Sequence, residues 1–87
     1  METLLIFHEV DDVDHWLASP KRDEFFEAQG MGAPRTFTDP EGSNRVGLIV
    51  ETPSMDTFQE ALKSDDAAAA MKHDGVRPET IVTLTAG

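Results

Sequence analysis

The chain has 87 residues, no cysteine, and 17 acidic against 7 basic side chains, a formal net charge of −10. A chain of this length makes one domain with a small core, burying roughly 60–65% of the surface its unfolded form exposes. The charge disfavours nucleic acid and anionic membranes as partners, because both need clustered Lys and Arg. The absence of cysteine excludes disulfides and thiolate metal sites.

Met1-Glu2-Thr3 has no basic leader, and no apolar run approaches the roughly 20 residues that span a bilayer. The expectation is a cytoplasmic protein.

The first strand is expected over about residues 3–10, a run rich in β-branched and aromatic types. Its two rows are Leu4, Ile6, His8, Val10 and Leu5, Phe7, Glu9, both largely apolar, so the strand should be covered on both sides. The chain's own helices can cover one side only. Parity separates His8 from Phe7 and Glu9 but does not say which row faces the helices.

Asp11 or Asp12 is expected to cap a helix carrying Val13, Trp16 and Leu17. Ala18-Ser19-Pro20 interrupts that helix, since proline removes a hydrogen bond. It should restart with Ser19 as cap and Pro20 in the first turn, run from Lys21 to Gln29 with Phe25, Phe26 and Ala28, and stop at Gly30-Met31-Gly32. Pro34 to Thr38 reads as strand 2, Asp39 to Ser43 as a turn, and Arg45 to Thr52 as strand 3. Gly47, in mid-strand, marks a bulge, a close backbone approach or space for a ligand.

Ser54 should cap a helix through Met55, Phe58, Ala61 and Leu62, and Ser64 should cap its restart through Ala67–Ala70 and Met71. Gly75 is the stop, and Pro78 leads into strand 4, Glu79 to Thr85. The order is β-α-β-β-α-β in a single domain over residues 1–87. This is the α+β, ferredoxin-like arrangement, an antiparallel four-stranded sheet with its helices on one face.

His8-Glu9-Val10, the acidic turn after it and Trp16 eight residues beyond His8 resemble the opening of the small dimeric α/β-barrel proteins. Ser43-Asn44-Arg45-Val46, the helix end from Ser64 through Ala70-Met71-Lys72 to Gly75-Val76, and Pro78-Glu79 are similar to the same group. In particular the chain resembles a group of short bacterial proteins that are cyclase-like or antibiotic-biosynthesis-monooxygenase-like. The resemblance implies a homodimer in which two four-stranded sheets face one another and close a barrel. It also implies a pocket between each sheet and its helices, where small aromatic or polyketide-like molecules bind. The superfamily spans cofactor-free monooxygenases, polyketide cyclases, lactone isomerases, haem-degrading enzymes and proteins of no known activity, and fold does not choose among them.

The chain departs from the haem-degrading pattern, an asparagine on the first strand with tryptophan and histidine on the second helix. Here the first strand has no asparagine, the single tryptophan is on the first helix, and His73 alone is left of the three. There is also no tyrosine to form a histidine–tyrosine dyad.

His8 is the foremost chemical candidate, an imidazole near the end of a central strand that can take a proton from a phenol or enol. It can equally be a structural histidine bonded to backbone or carboxylate. Arg35 is the expected partner for the resulting anion, and surface pairing is its alternative. Trp16 and Phe37 are expected to shape a pocket, or to serve as core, and His73 to reach the pocket from the end of the second helix or to complement the helix dipole. No cofactor and no metal are expected. His8 and His15 with Asp11, Asp12 or Asp14 have no established ligand spacing, and neither a phosphate-binding glycine loop nor a nucleophile elbow is present. Two functions remain in view. One is a cofactor-independent monooxygenase or cyclase acting on a phenolic or polyketide-like molecule, and the other is a non-catalytic ligand-binding or stress-response module.

Overall fold

The computed structural model describes residues 2–86. Four strands and four short helices follow in order: β1 (Glu2–Val10), α1 (Val13–Ala18), α2 (Lys21–Ala28), β2 (Arg35–Thr38), β3 (Arg45–Thr52), α3 (Met55–Leu62), α4 (Asp65–Asp74) and β4 (Val76–Thr85). The strands form one sheet in the order β2-β3-β1-β4, every neighbouring pair antiparallel. Each expected helix is present as a broken pair. This is the ferredoxin-like α+β fold.

The breaks follow local chemistry. Asp12 caps α1 by accepting the His15 N–H at 3.1 Å. Ser19 then turns to extended backbone (φ −72°, ψ 131°), as a residue before proline must. Pro20 itself occupies the cap position of α2, one residue later than expected, and Ser19 Oγ accepts the Lys21 N–H at 3.2 Å. Ser54 and Ser64 cap α3 and α4, accepting from the Thr57 and Ala67 N–H groups at 3.1 Å each. Gly75 closes α4 at φ 72°, a left-handed position that favours a residue without Cβ.

All the helices lie on one side of the sheet. The inner row of β1, Leu4, Ile6, His8 and Val10, is buried together with Val46, Leu48 and Val50 of β3. Trp16, Phe26 and Phe58 cover them from the helices. The other side of the sheet carries Leu5, Phe7, Ile49, Phe37, Val82 and Leu84. Gly47 stands in register between Phe7 and Phe37, and the Phe7 ring fills its place: a Cβ there would lie 3.4 Å from Phe7 Cδ1. The backbone approaches there as well, with the Ile6 carbonyl oxygen at the same 3.4 Å, so the expected close backbone approach is present together with an aromatic ring.

β4 begins at Val76, three residues before the expected start, and is irregular. Phe7 faces Val82 but Glu9 faces Arg77, so two residues of β1 advance against five of β4. Pro78 falls in that excursion, where its missing N–H breaks no ladder bond. Thr80 bridges the gap, accepting the Glu9 N–H at 2.8 Å and donating to the Arg77 carbonyl at 2.6 Å. Arg77 also ties this end of the sheet to the acidic turn, through Asp11 at 3.0 Å and Glu9 at 3.4 Å. Among the described residues, no helix is long and apolar enough to cross a membrane.

Candidate functional site

His8 lies on the helix side of β1 and is 5% exposed. The irregular pairing of β4 occurs directly beside it, a device that recurs next to active sites because it re-aims side chains. Trp16 of α1 meets the imidazole edge to face, with ring centroids 5.5 Å apart and planes at 77°. Arg22, in the first turn of α2, holds its guanidinium 4.3 Å from the centre of the indole ring. Its Nη1 donates to the Trp16 carbonyl at 2.8 Å. Asp74, in the last turn of α4, is buried, and its carboxylate accepts from His73 Nδ1 at 2.9 Å.

These four residues share a cavity of about 80 Å³ between sheet and helices. The rest of its wall is apolar, including Ile6, Leu48, Phe25, Phe58 and Met71. Among the described residues, His8 Nδ1 and Arg22 Nε are buried without a hydrogen-bond partner. An unpaired buried polar atom costs about 1–3 kcal/mol, and such atoms mark places where a ligand or ordered water completes the site.

Burial is the largest influence on His8 and pushes its pKa below the ordinary 6.5. Hydrogen bonding at the Glu9 backbone opposes this, Arg22 pushes further down, and Asp74 pushes up. Burial therefore favours the neutral form of the imidazole, and its unpaired Nδ1 sits in an apolar space next to a fixed cation.

The fold brings His8 and Trp16 together. Arg35 and Phe37 lie on the opposite side of the sheet, where the guanidinium stacks on the ring at 5.4 Å. The reason is strand parity: they pair with Ile49 and Gly47, whose neighbours Val46, Leu48 and Val50 point into the core. The cation on the His8 side is Arg22. His73 is exposed at the rim and joins the cavity through Asp74 alone. His15 is exposed and donates from Nε2 to the His73 carbonyl at 2.7 Å.

Arg22 and Asp74 were not singled out from the sequence, although each carries a signal. Arg22 is four residues before Phe26, on the same face of α2, and these two are the buried residues of that helix. Asp74 is a carboxylate in the last turn of a helix, where the dipole disfavours it.

No family model matches the sequence, and no curated protein does. Solved structures do match. A Bordetella bronchiseptica protein provisionally named an antibiotic biosynthesis monooxygenase superposes with a TM-score of 0.72 at 16% identity, covering 99% of this chain and 94% of that one. SnoaB, a cofactor-independent oxygenase from Streptomyces nogalater, gives 0.63 at 14% identity, covering 98% and 87%. A dimeric protein of unknown function from Bacteroides fragilis, with a ferredoxin-like fold, gives 0.59 at 13% identity, covering 98% and 93%. The likeness is one of fold: this chain has the ferredoxin-like architecture common to oxygenase-like proteins and to others without an assigned function.

Proposed function

We propose that the protein is a cytoplasmic homodimer of the α/β-barrel type that binds a small phenolic or polyketide-like molecule on the helix side of its sheet and carries out cofactor-independent oxygenation or cyclisation, with His8 as general base. The observation that carries this reading is the buried His8 Nδ1, held without a partner in an apolar cavity beside Arg22.

Both reactions begin by removing a proton from a phenol or an enolised ketone. His8 receives it, and the fixed charge of Arg22 steadies the anion without reorganising water. In the oxygenase branch the anion gives its electrons to dioxygen and combines with it through a new C–O bond. The resulting hydroperoxide, protonated by the His8 imidazolium, breaks its O–O bond and loses water to leave a carbonyl. In the cyclase branch the anion attacks a carbonyl of the same molecule. Trp16 orients an aromatic ring and supports both His8 and Arg22. Cavities that admit benzene measure about 150 Å³, so entry of a ring requires partly exposed rim residues such as Phe25, Leu62 and Met71 to turn aside.

The test is turnover of a panel of phenols, quinols and β-polyketones, followed by product analysis and an oxygen electrode, which separates the two branches. His8→Ala is expected to lower turnover by about 100-fold or more while the protein stays folded and keeps its mass in solution. Undiminished turnover on every accepted substrate would exclude His8 as the base.

The competing reading is a non-catalytic binding module. It is favoured by the edge-on packing of Trp16 against His8, which is also how a structural histidine is held. On that reading His8→Ala lowers Tm and leaves ligand affinity unchanged.

A further inference from the structure

We propose that His15, His73 and Asp74 form a site for a divalent first-row transition ion of the zinc type, on the rim between α1 and the end of α4. One ring nitrogen from each imidazole and one carboxylate oxygen lie within 4.8 Å of one another. Around an ion with bonds of about 2.1 Å, tetrahedral donors stand about 3.4 Å apart, so the side chains need to close by only about 1.4 Å.

Three features set this cluster apart from an ordinary surface histidine pair. First, the two imidazoles come from different helices, 58 residues apart, with ring centroids only 5.3 Å apart. A favourable interaction with the helix dipole explains a histidine at the end of α4 but not a second one brought over it. Second, Asp74 is 3% exposed, and its one hydrogen-bond partner among the described residues is His73. A buried carboxylate needs a positive partner, and an ion supplies one. Third, both imidazoles are exposed, so an ion has a path to the buried oxygen.

The existing contacts hold the donors in place. His15 Nε2 donates to the His73 carbonyl at 2.7 Å, and His73 Nδ1 donates to Asp74 at 2.9 Å. An arriving ion takes the lone pair of one nitrogen of each neutral imidazole while the ring proton stands on the other nitrogen, and any imidazolium proton passes to solvent. Two imidazoles and one carboxylate with a remaining position open to water make a donor set suited to Zn²⁺, Fe²⁺ or Co²⁺, and unsuited to Ca²⁺ or Mg²⁺, which take oxygen. The net charge of −10 raises the local concentration of any cation. Occupancy would cross-link α1 to α4 beside the cavity and fix the carboxylate that faces His8.

The experiment uses chelator-treated full-length protein titrated with Zn²⁺ by calorimetry and with Co²⁺ by visible absorption, together with ¹H–¹⁵N correlation of the histidine rings. The expected results are one ion per chain, a rise in Tm, and ring shifts at His15 and His73 with none of comparable size at His8. His15→Ala and His73→Ala should each weaken Zn²⁺ binding by at least about tenfold, while Glu41→Gln in the β2–β3 turn leaves it unchanged. If either histidine variant unfolds, the ring shifts of the unmodified protein still decide. Equal affinity in all variants, unshifted His15 and His73 rings, or weak binding of many ions abolished by salt would each overturn the proposal.

Discussion

Leu4, Ile6 and Val10 make the inner row of β1 apolar, and His8 is its one buried polar side chain. Folding moves that imidazole out of water, which lowers its pKa below the ordinary 6.5. The unfolded chain therefore binds more protons than the folded one between the lowered value and 6.5, and stability rises with pH across that window. His8 contributes its full stabilisation above about pH 6.5 and progressively less below it. Thermal melts at descending pH should show Tm falling more steeply in the unmodified protein than in His8→Gln. Parallel curves would assign the acid sensitivity to other groups. The charges that reach His8 are those of Arg22, which lowers its pKa, and Asp74, which raises it. Arg22→Met keeps the aliphatic stem and removes the guanidinium. It should raise the His8 pKa, read by NMR titration of the ring, and slow turnover of any accepted phenol.

The helices are short, between six and ten residues each, so their termini carry much of their stability. α4 matters most to the site because Asp74 is its last residue. Ser64→Ala removes the cap that satisfies the Ala67 N–H and should cost about 1 kcal/mol in urea denaturation. At the other end, Gly75→Ala places a Cβ at φ 72° and 3.4 Å from Asp11 Cβ, and should cost roughly 1 kcal/mol or more. A Gly75 variant as stable as the parent would show that the α4–β4 turn tolerates another conformation.

The sheet has one face without helices, and it is apolar. Phe7 (37% exposed), Phe37 (41%), Val82 (51%) and Leu84 (49%) stand on adjacent strands in matching register. In the proposed homodimer a second copy covers this face, which is where a small domain gains most. Phe7→Asp should convert a dimer to a monomer by light scattering, leaving the helix-side core intact because the ring does not enter it. A dimer that persists would move the interface elsewhere. If the dimer does dissociate, Arg35, stacked on Phe37, belongs to the interface rather than to the cavity.

Much of the architecture was legible because its causes are local. The alternation in β1, the caps at Asp12, Ser54 and Ser64, the break at Pro20 and the stop at Gly75 each depend on neighbours within four residues. The site was legible only in part. Period two separates the rows of a strand, but which row meets the helices depends on which side of the sheet the crossovers pass, and this placed His8 inside and Arg35 and Phe37 outside. Tertiary structure likewise brought Arg22 under Trp16, set the irregular β4 pairing around Pro78, and drew His15 onto His73. Sequence alone determined the elements and their order through short-range chemistry. The choice of residues that meet at the cavity came from long-range packing, which joins side chains as far apart as His8 and Asp74.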